Sequence, residues 1–88
     1  MEKIKSASAG TLESSDAYIE IQPDDELKIE IESVVKGQFG ESIEAAVREV
    51  LKEQGIDKAY VRVVDRGALE CVIRARVETA ALRTKEAK

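Results

Sequence analysis

Apolar and polar residues alternate along residues 17–22 and again along 27–32: Ile19 and Ile21 oppose Tyr18 and Glu20, and Leu27, Ile29 and Ile31 oppose Lys28, Glu30 and Glu32. A period of two sends one face to a core and the other to water, so both stretches read as half-buried strands. Between them Pro23 fixes its φ and Asp24-Asp25 supplies turn formers, which predicts a hairpin. Residues 33–40 give no clean period, because Val34-Val35 favour burial while Gly37 and Gly40 interrupt regular structure; they read as a turn with at most one helical loop. From residue 41 to 54 the period becomes helical, with Phe39, Ile43, Ala46, Val47, Val50 and Leu51 on one face and Glu41, Glu44, Arg48, Glu49, Lys52 and Glu53 on the other. Gly55 stands where a left-handed cap would end that helix, and Ile56 where the accompanying apolar contact falls.

Residues 59–64 alternate once more, with Ala59, Val61 and Val63 inward, giving a third strand that the helix can join to the second by a crossover. Asp65-Arg66-Gly67 then turns the chain. The stretch from Leu69 fits two periods, since Leu69, Cys71, Ile73, Ala75 and Val77 alternate while Leu69, Val72, Ile73, Val77 and Ala80 form a helical face. Its length of roughly 16 residues and its alanines and arginines favour a helix; a fourth strand paired through the Asp65-Arg66-Gly67 turn is the alternative. The fold class is therefore α+β, a small two-layer domain in the order strand, strand, helix, strand, helix, with the helices on one face of the sheet. Residues 1–16 read as a flexible N-terminal arm ending in an exposed loop, residues 17–88 as the folded domain, and the charged tail from 84 as fraying.

Composition narrows the function more than the fold. Eighty-eight residues suffice for one domain with a thin core. The net charge of −4, the scattered Lys and Arg, and only Phe39, Tyr18 and Tyr60 as aromatics argue against nucleic acid as a partner. No stretch resembles a signal segment or a membrane span, so the expectation is a cytoplasmic protein with no membrane partner. The absence of His removes the usual general base and the commonest metal ligand, and a single Cys excludes zinc frameworks, so no metal site is expected. Cys71 itself reads as a small buried hydrophobe. Carboxylate neighbours such as Asp24-Asp25, or Glu13 with Asp16, are common as solvated charge in a chain with 18 acids, and Gly37-x-x-Gly40 lacks the spacing and the Lys of a phosphate loop. No catalytic residue is expected in this chain. What remains is a hydroxyl-bearing loop, Gly10-Thr11-Leu12-Glu13-Ser14-Ser15-Asp16, of a composition that favours turns and exposure.

That loop, together with Gln38-Phe39-Gly40, Asp65-x-Gly67-Ala68-Leu69 and Arg74-Ala75-Arg76, resembles the acyl carrier (gamma) subunit of citrate lyase over nearly the whole chain. The resemblance implies that Ser14, the serine after Thr11-Leu12-Glu13, bears phosphoribosyl-dephospho-CoA through a phosphodiester, and that the terminal thiol of this group holds acetyl or citryl as a thioester. It implies as partners the transferase (alpha) and lyase (beta) subunits, a prosthetic-group transferase and an acetylating ligase. Two other readings stay open: the carrier subunit of malonate decarboxylase, which uses the same kind of group, and an unmodified interaction module. Arg76 falls within the helical stripe and needs a partner there, either a local carboxylate or the phosphates of the prosthetic group.

Overall fold

A computed structural model describes residues 5–33 and 36–85, the side chains of residues 36–40 excepted. Its elements are β1 (Ala7–Gly10), β2 (Ala17–Pro23), β3 (Leu27–Ser33), α1 (Lys36–Glu53), β4 (Ala59–Asp65) and α2 (Glu70–Thr84). The four strands form one sheet in the order β1-β2-β4-β3. β2 runs antiparallel to both β1 and β4, with Ala9 opposite Ile19 and Ile19 opposite Val63, whereas β3 and β4 are parallel, with Ile31 opposite Val63. Both helices lie on one face. Ile43, Val47, Val50 and Leu51 of α1 and Ile73, Val77, Ala80 and Ala81 of α2 close on Ala9, Ile19, Ile21, Ala59, Val61 and Val63 in a single core. The α+β two-layer class and the order of its last five elements are as the periodicity predicts.

Four details differ from the sequence reading. Residues 7–10, assigned to a loose arm, form an edge strand. Their small side chains carry no alternation, but β2 supplies the backbone pairing, and α2 holds the strand through Arg83 Nη1 donating to the Ser8 carbonyl (2.8 Å) and the Lys5 N–H donating to the Thr84 carbonyl (3.0 Å). The β2–β3 hairpin does not form, because β4 lies between its two strands. On the face away from the helices β4 buries Val64, 3% exposed, while Tyr60 and Arg62 on that same face are half-buried. Helix α1 begins at Lys36, so Gly37 and Gly40 lie inside its first turns; Val34 and Val35 lie outside the described residues. Cys71 is exposed, since on α2 it stands about 200° around the helix from the buried Ile73 at 100° per residue.

The C-terminus of α1 is closed as expected. Gly55 has φ +76°, its N–H donates to Lys52, and the N–H of the buried Ile56 donates to Leu51, the paired bonds of a Schellman motif. The residues from 69 adopt the helical alternative. Arg74 fastens α2 to α1 by donating to Glu49, and also pairs with Glu70 one turn back at 3.0 Å.

Candidate functional site

The hydroxyl loop starts at a position where only glycine fits. Gly10 has φ +95°, and a Cβ there would lie 1.8 Å from the Ala17 carbonyl oxygen, so the close approach of β1 to the start of β2 depends on the missing side chain. Four residues on, the chain reverses in a β-turn closed by the Asp16 N–H donating to the Glu13 carbonyl at 3.1 Å. Ser14 and Ser15 are its central residues. Only Ser15 has positive φ, +67°, which is the type II pattern and costs a non-glycine residue roughly 1–2 kcal/mol.

The turn is tied down on the side of the β4–α2 connection. The Ser15 N–H donates to the Arg66 carbonyl (2.8 Å), and the Arg66 N–H donates to the Asp16 carbonyl (2.9 Å). That connection is shaped in turn by Asp65, 1% exposed, whose Oδ1 accepts the N–H groups of Gly67 (3.0 Å) and Ala68 (2.8 Å), while its Oδ2 accepts the Ser33 hydroxyl (2.7 Å). Gly67, at φ +93°, supplies the left-handed residue that the bend requires.

Asp16 joins the turn to helix α2. Its Oδ1 accepts the Ala17 N–H (2.7 Å) and Arg76 Nε (3.0 Å), and its Oδ2 accepts the Thr11 hydroxyl (2.6 Å) and Arg76 Nη2 (3.1 Å). The arginine therefore meets the carboxylate as a two-pronged fork, the geometry that guanidinium matches best. Thr11 is also used twice, since its oxygen accepts the Glu13 N–H at 3.2 Å. The Thr11 hydroxyl above all, then Arg76 and the Ala17 N–H, hold the Asp16 carboxyl at about 2, below its ordinary 3.8.

The structure thus brings parts of three of the four sequence motifs together, residues 10–16 meeting the bend at 65–67 and Arg76, while Arg74 turns to α1. The fourth, Gln38-Phe39-Gly40, lies in the first turns of α1, where side chains are not described. Ser14 is exposed, and among the described residues its hydroxyl has no hydrogen-bond partner. Arg76 has found the local carboxylate. Asp16 as the hub, and Asp65 with Ser33 beneath it, escaped the sequence reading; the one signal available was an arginine inside a helical stripe, which demanded an acid without naming it. Among the described residues no group of three or more Cys, His, Asp or Glu side chains could hold a metal ion, and no helix is long and apolar enough to cross a membrane.

Comparison with known proteins bears directly on this loop-bearing fold. The citrate lyase acyl carrier protein 2 of Salmonella paratyphi A is 56% identical over 88 residues, covering 98% of this chain and 91% of that protein. The citrate lyase acyl carrier protein of Haemophilus influenzae (strain PittEE) is 58% identical over 86 residues, with 98% and 90% covered. This chain belongs to the citrate lyase acyl carrier protein family. Members of the family are carrier subunits and not catalysts. The wider acyl carrier family described as malonate decarboxylase delta subunit (MdcD) matches residues 4–84. The carrier fold is also found in a chain of a Pseudomonas malonate decarboxylase hetero-tetramer crystallised with malonate, at TM-score 0.79 and 21% identity over 91% of this chain and 84% of that one.

Proposed function

We propose that the chain is the acyl carrier subunit of citrate lyase, with Ser14 as the attachment point of phosphoribosyl-dephospho-CoA. The observation that carries this reading is an exposed, unbonded Ser14 hydroxyl on a turn whose neighbouring polar groups, Thr11 and Asp16, are engaged elsewhere. The residues present fit the group, because a phosphodiester at Ser14 Oγ would project into solvent and displace no internal hydrogen bond. Attachment replaces the O–H bond of Ser14 with an O–P bond to an activated donor of the group; the donor's leaving group departs and the proton passes to a base of the modifying enzyme. The attached group supplies a terminal thiol on a long tether, able to hold acetyl or citryl as a thioester. Tethering raises the local concentration of the acyl group at the partner sites without requiring strong contacts. The partners on this reading are the transferase (alpha) and lyase (beta) subunits, the prosthetic-group transferase and the acetylating ligase, all in the cytoplasm.

A second reading, the carrier of malonate decarboxylase, is favoured by the family description and by the shared fold. The 56–58% identity to citrate lyase carriers over nearly the full chain weighs against it. One experiment addresses both. The chain and its Ser14→Ala and Ser15→Gly variants are treated with the citrate lyase prosthetic-group transferase and followed by intact mass and adduct mapping, and the product, its thiol first acetylated with the acetylating ligase, acetate and ATP, is added to citrate lyase alpha and beta subunits. The expected outcome is an adduct on the parent and on Ser15→Gly, none on Ser14→Ala, and citrate cleavage restored by the modified parent. Full modification of Ser14→Ala would overturn the site. Adduct formation without restored cleavage would favour the malonate decarboxylase reading.

A further inference from the structure

Two adjacent exposed serines pose a selectivity problem that their hydroxyls alone do not solve, since both are primary alcohols with equal intrinsic reactivity. The backbone distinguishes them. Ser15 is the left-handed residue of the turn, with φ +67° and its N–H bound to Arg66, while Ser14 occupies the preceding corner. That distinction lasts only while the turn keeps its register, and the register is set from one side by Asp16, bonded to Thr11, to its own neighbour Ala17 and to the Arg76 fork 60 positions away. We infer that the Thr11–Asp16–Arg76 cluster, acting with the Arg66 backbone, is a positioning device that presents Ser14 and withholds Ser15 from the modifying enzyme. This rests on Ser14 being the attachment point and goes further by assigning the selectivity to residues outside the serine pair.

The geometry favours such a role over mere bracing of the fold. Arg76 has a side chain 40% exposed, and half-exposed ion pairs add little to stability, so removing it should leave the fold intact. Its two bonds do, however, decide the position of the residue that ends the turn, and small misplacements of a reacting group carry large rate penalties. Thr11 acts at the other end, holding the Glu13 N–H and the Asp16 carboxylate with one hydroxyl. Arg76, Asp16 and Thr11 are positioning residues: none of them reacts.

The test compares Arg76→Met, Arg76→Lys and Asp16→Asn with the unsubstituted chain. Each is treated with the prosthetic-group transferase, the adduct is mapped to Ser14 or Ser15, and amide exchange is followed at Ser15 and Asp16 in unmodified protein. In Arg76→Met and Asp16→Asn, kcat/KM for modification should fall by at least about tenfold, with part of the adduct on Ser15 and protection lost at both amides. Arg76→Lys, which keeps the charge without the fork, should fall between. A simple structural brace would lower the melting temperature without moving the adduct. Arg76→Met modified at the parent rate, on Ser14 alone, would overturn the inference. If the unsubstituted chain itself took no adduct on Ser14, the attachment reading would fall, and with it the inference; exchange protection that survived Arg76→Met would refute the clamp independently of any modification.

Discussion

Asp16 receives four donors on two oxygens, from Thr11, Ala17 and two nitrogens of Arg76, and this crowding has a pH signature. A carboxyl held at about 2 in the folded chain and near 3.8 when free stabilises the fold fully above pH 4, and that contribution disappears as pH falls from about 4 to about 2. The stability difference between the parent and Asp16→Asn should therefore be constant near neutrality and shrink through that window, as followed by thermal melting at a series of pH values. A difference that stayed constant down to about pH 2 would mean the carboxylate is not held as described. The sequence displayed Asp16 as the last residue of the hydroxyl loop and as one of 18 acids, with solvated charge its expected role. Periodicity reports which way a side chain faces, so it exposed the need of Arg76 for a partner; it is silent on which residue 60 positions away will meet it. Cys71 is the opposite case: free cysteines are usually buried, yet the helical wheel of α2 sets residue 71 outside the stripe of Ile73 and Val77.

Among the elements, α1 was legible because its 3.6-residue stripe is long and unbroken from Ile43 to Leu51. Val47, fully buried at its centre, gives the direct check: Val47→Asp would place an unpaired carboxylate in the core, costing several kcal/mol, a sum comparable with the whole stability of a small domain. Circular dichroism should show the variant largely unfolded at ordinary temperature, and a melt like that of the parent would refute the packing of α1 on the sheet. Strand neighbours were not legible in the same way. Alternation along β2 and β3 fixes their inner faces but not their neighbours, and it is silent on the insertion of β4 between them. β1 gave no signal at all, since Ala7-Ser8-Ala9-Gly10 is a strand by virtue of the hydrogen bonds that others offer it.

At the scale of the whole molecule, the edge strand makes residues 5–10 part of the fold. Removing residues 1–10 should strip β2 of its antiparallel neighbour and release α2 from Ser8, with each lost backbone bond worth about 0.5–1.5 kcal/mol. A loss on the order of 2–4 kcal/mol would lower the melting temperature by roughly 10–20 °C, and an unchanged melt would show that the domain begins after the strand. The long-range organisation of the loop follows from the same topology: β2 and β4 are adjacent, so the start of one and the end of the other place residues 13–16 beside residues 65–67. A turn anchored at both sides and from α2 also has a consequence for distance. On the proposed attachment at Ser14, whose turn is fixed to the body, the region the tethered acyl group could visit is a dome centred on one atom, Ser14 Oγ, with a radius set by the tether alone. Two catalytic centres served by one carrier must both open onto that dome, or else the entire 38 × 22 × 17 Å body must swing between them.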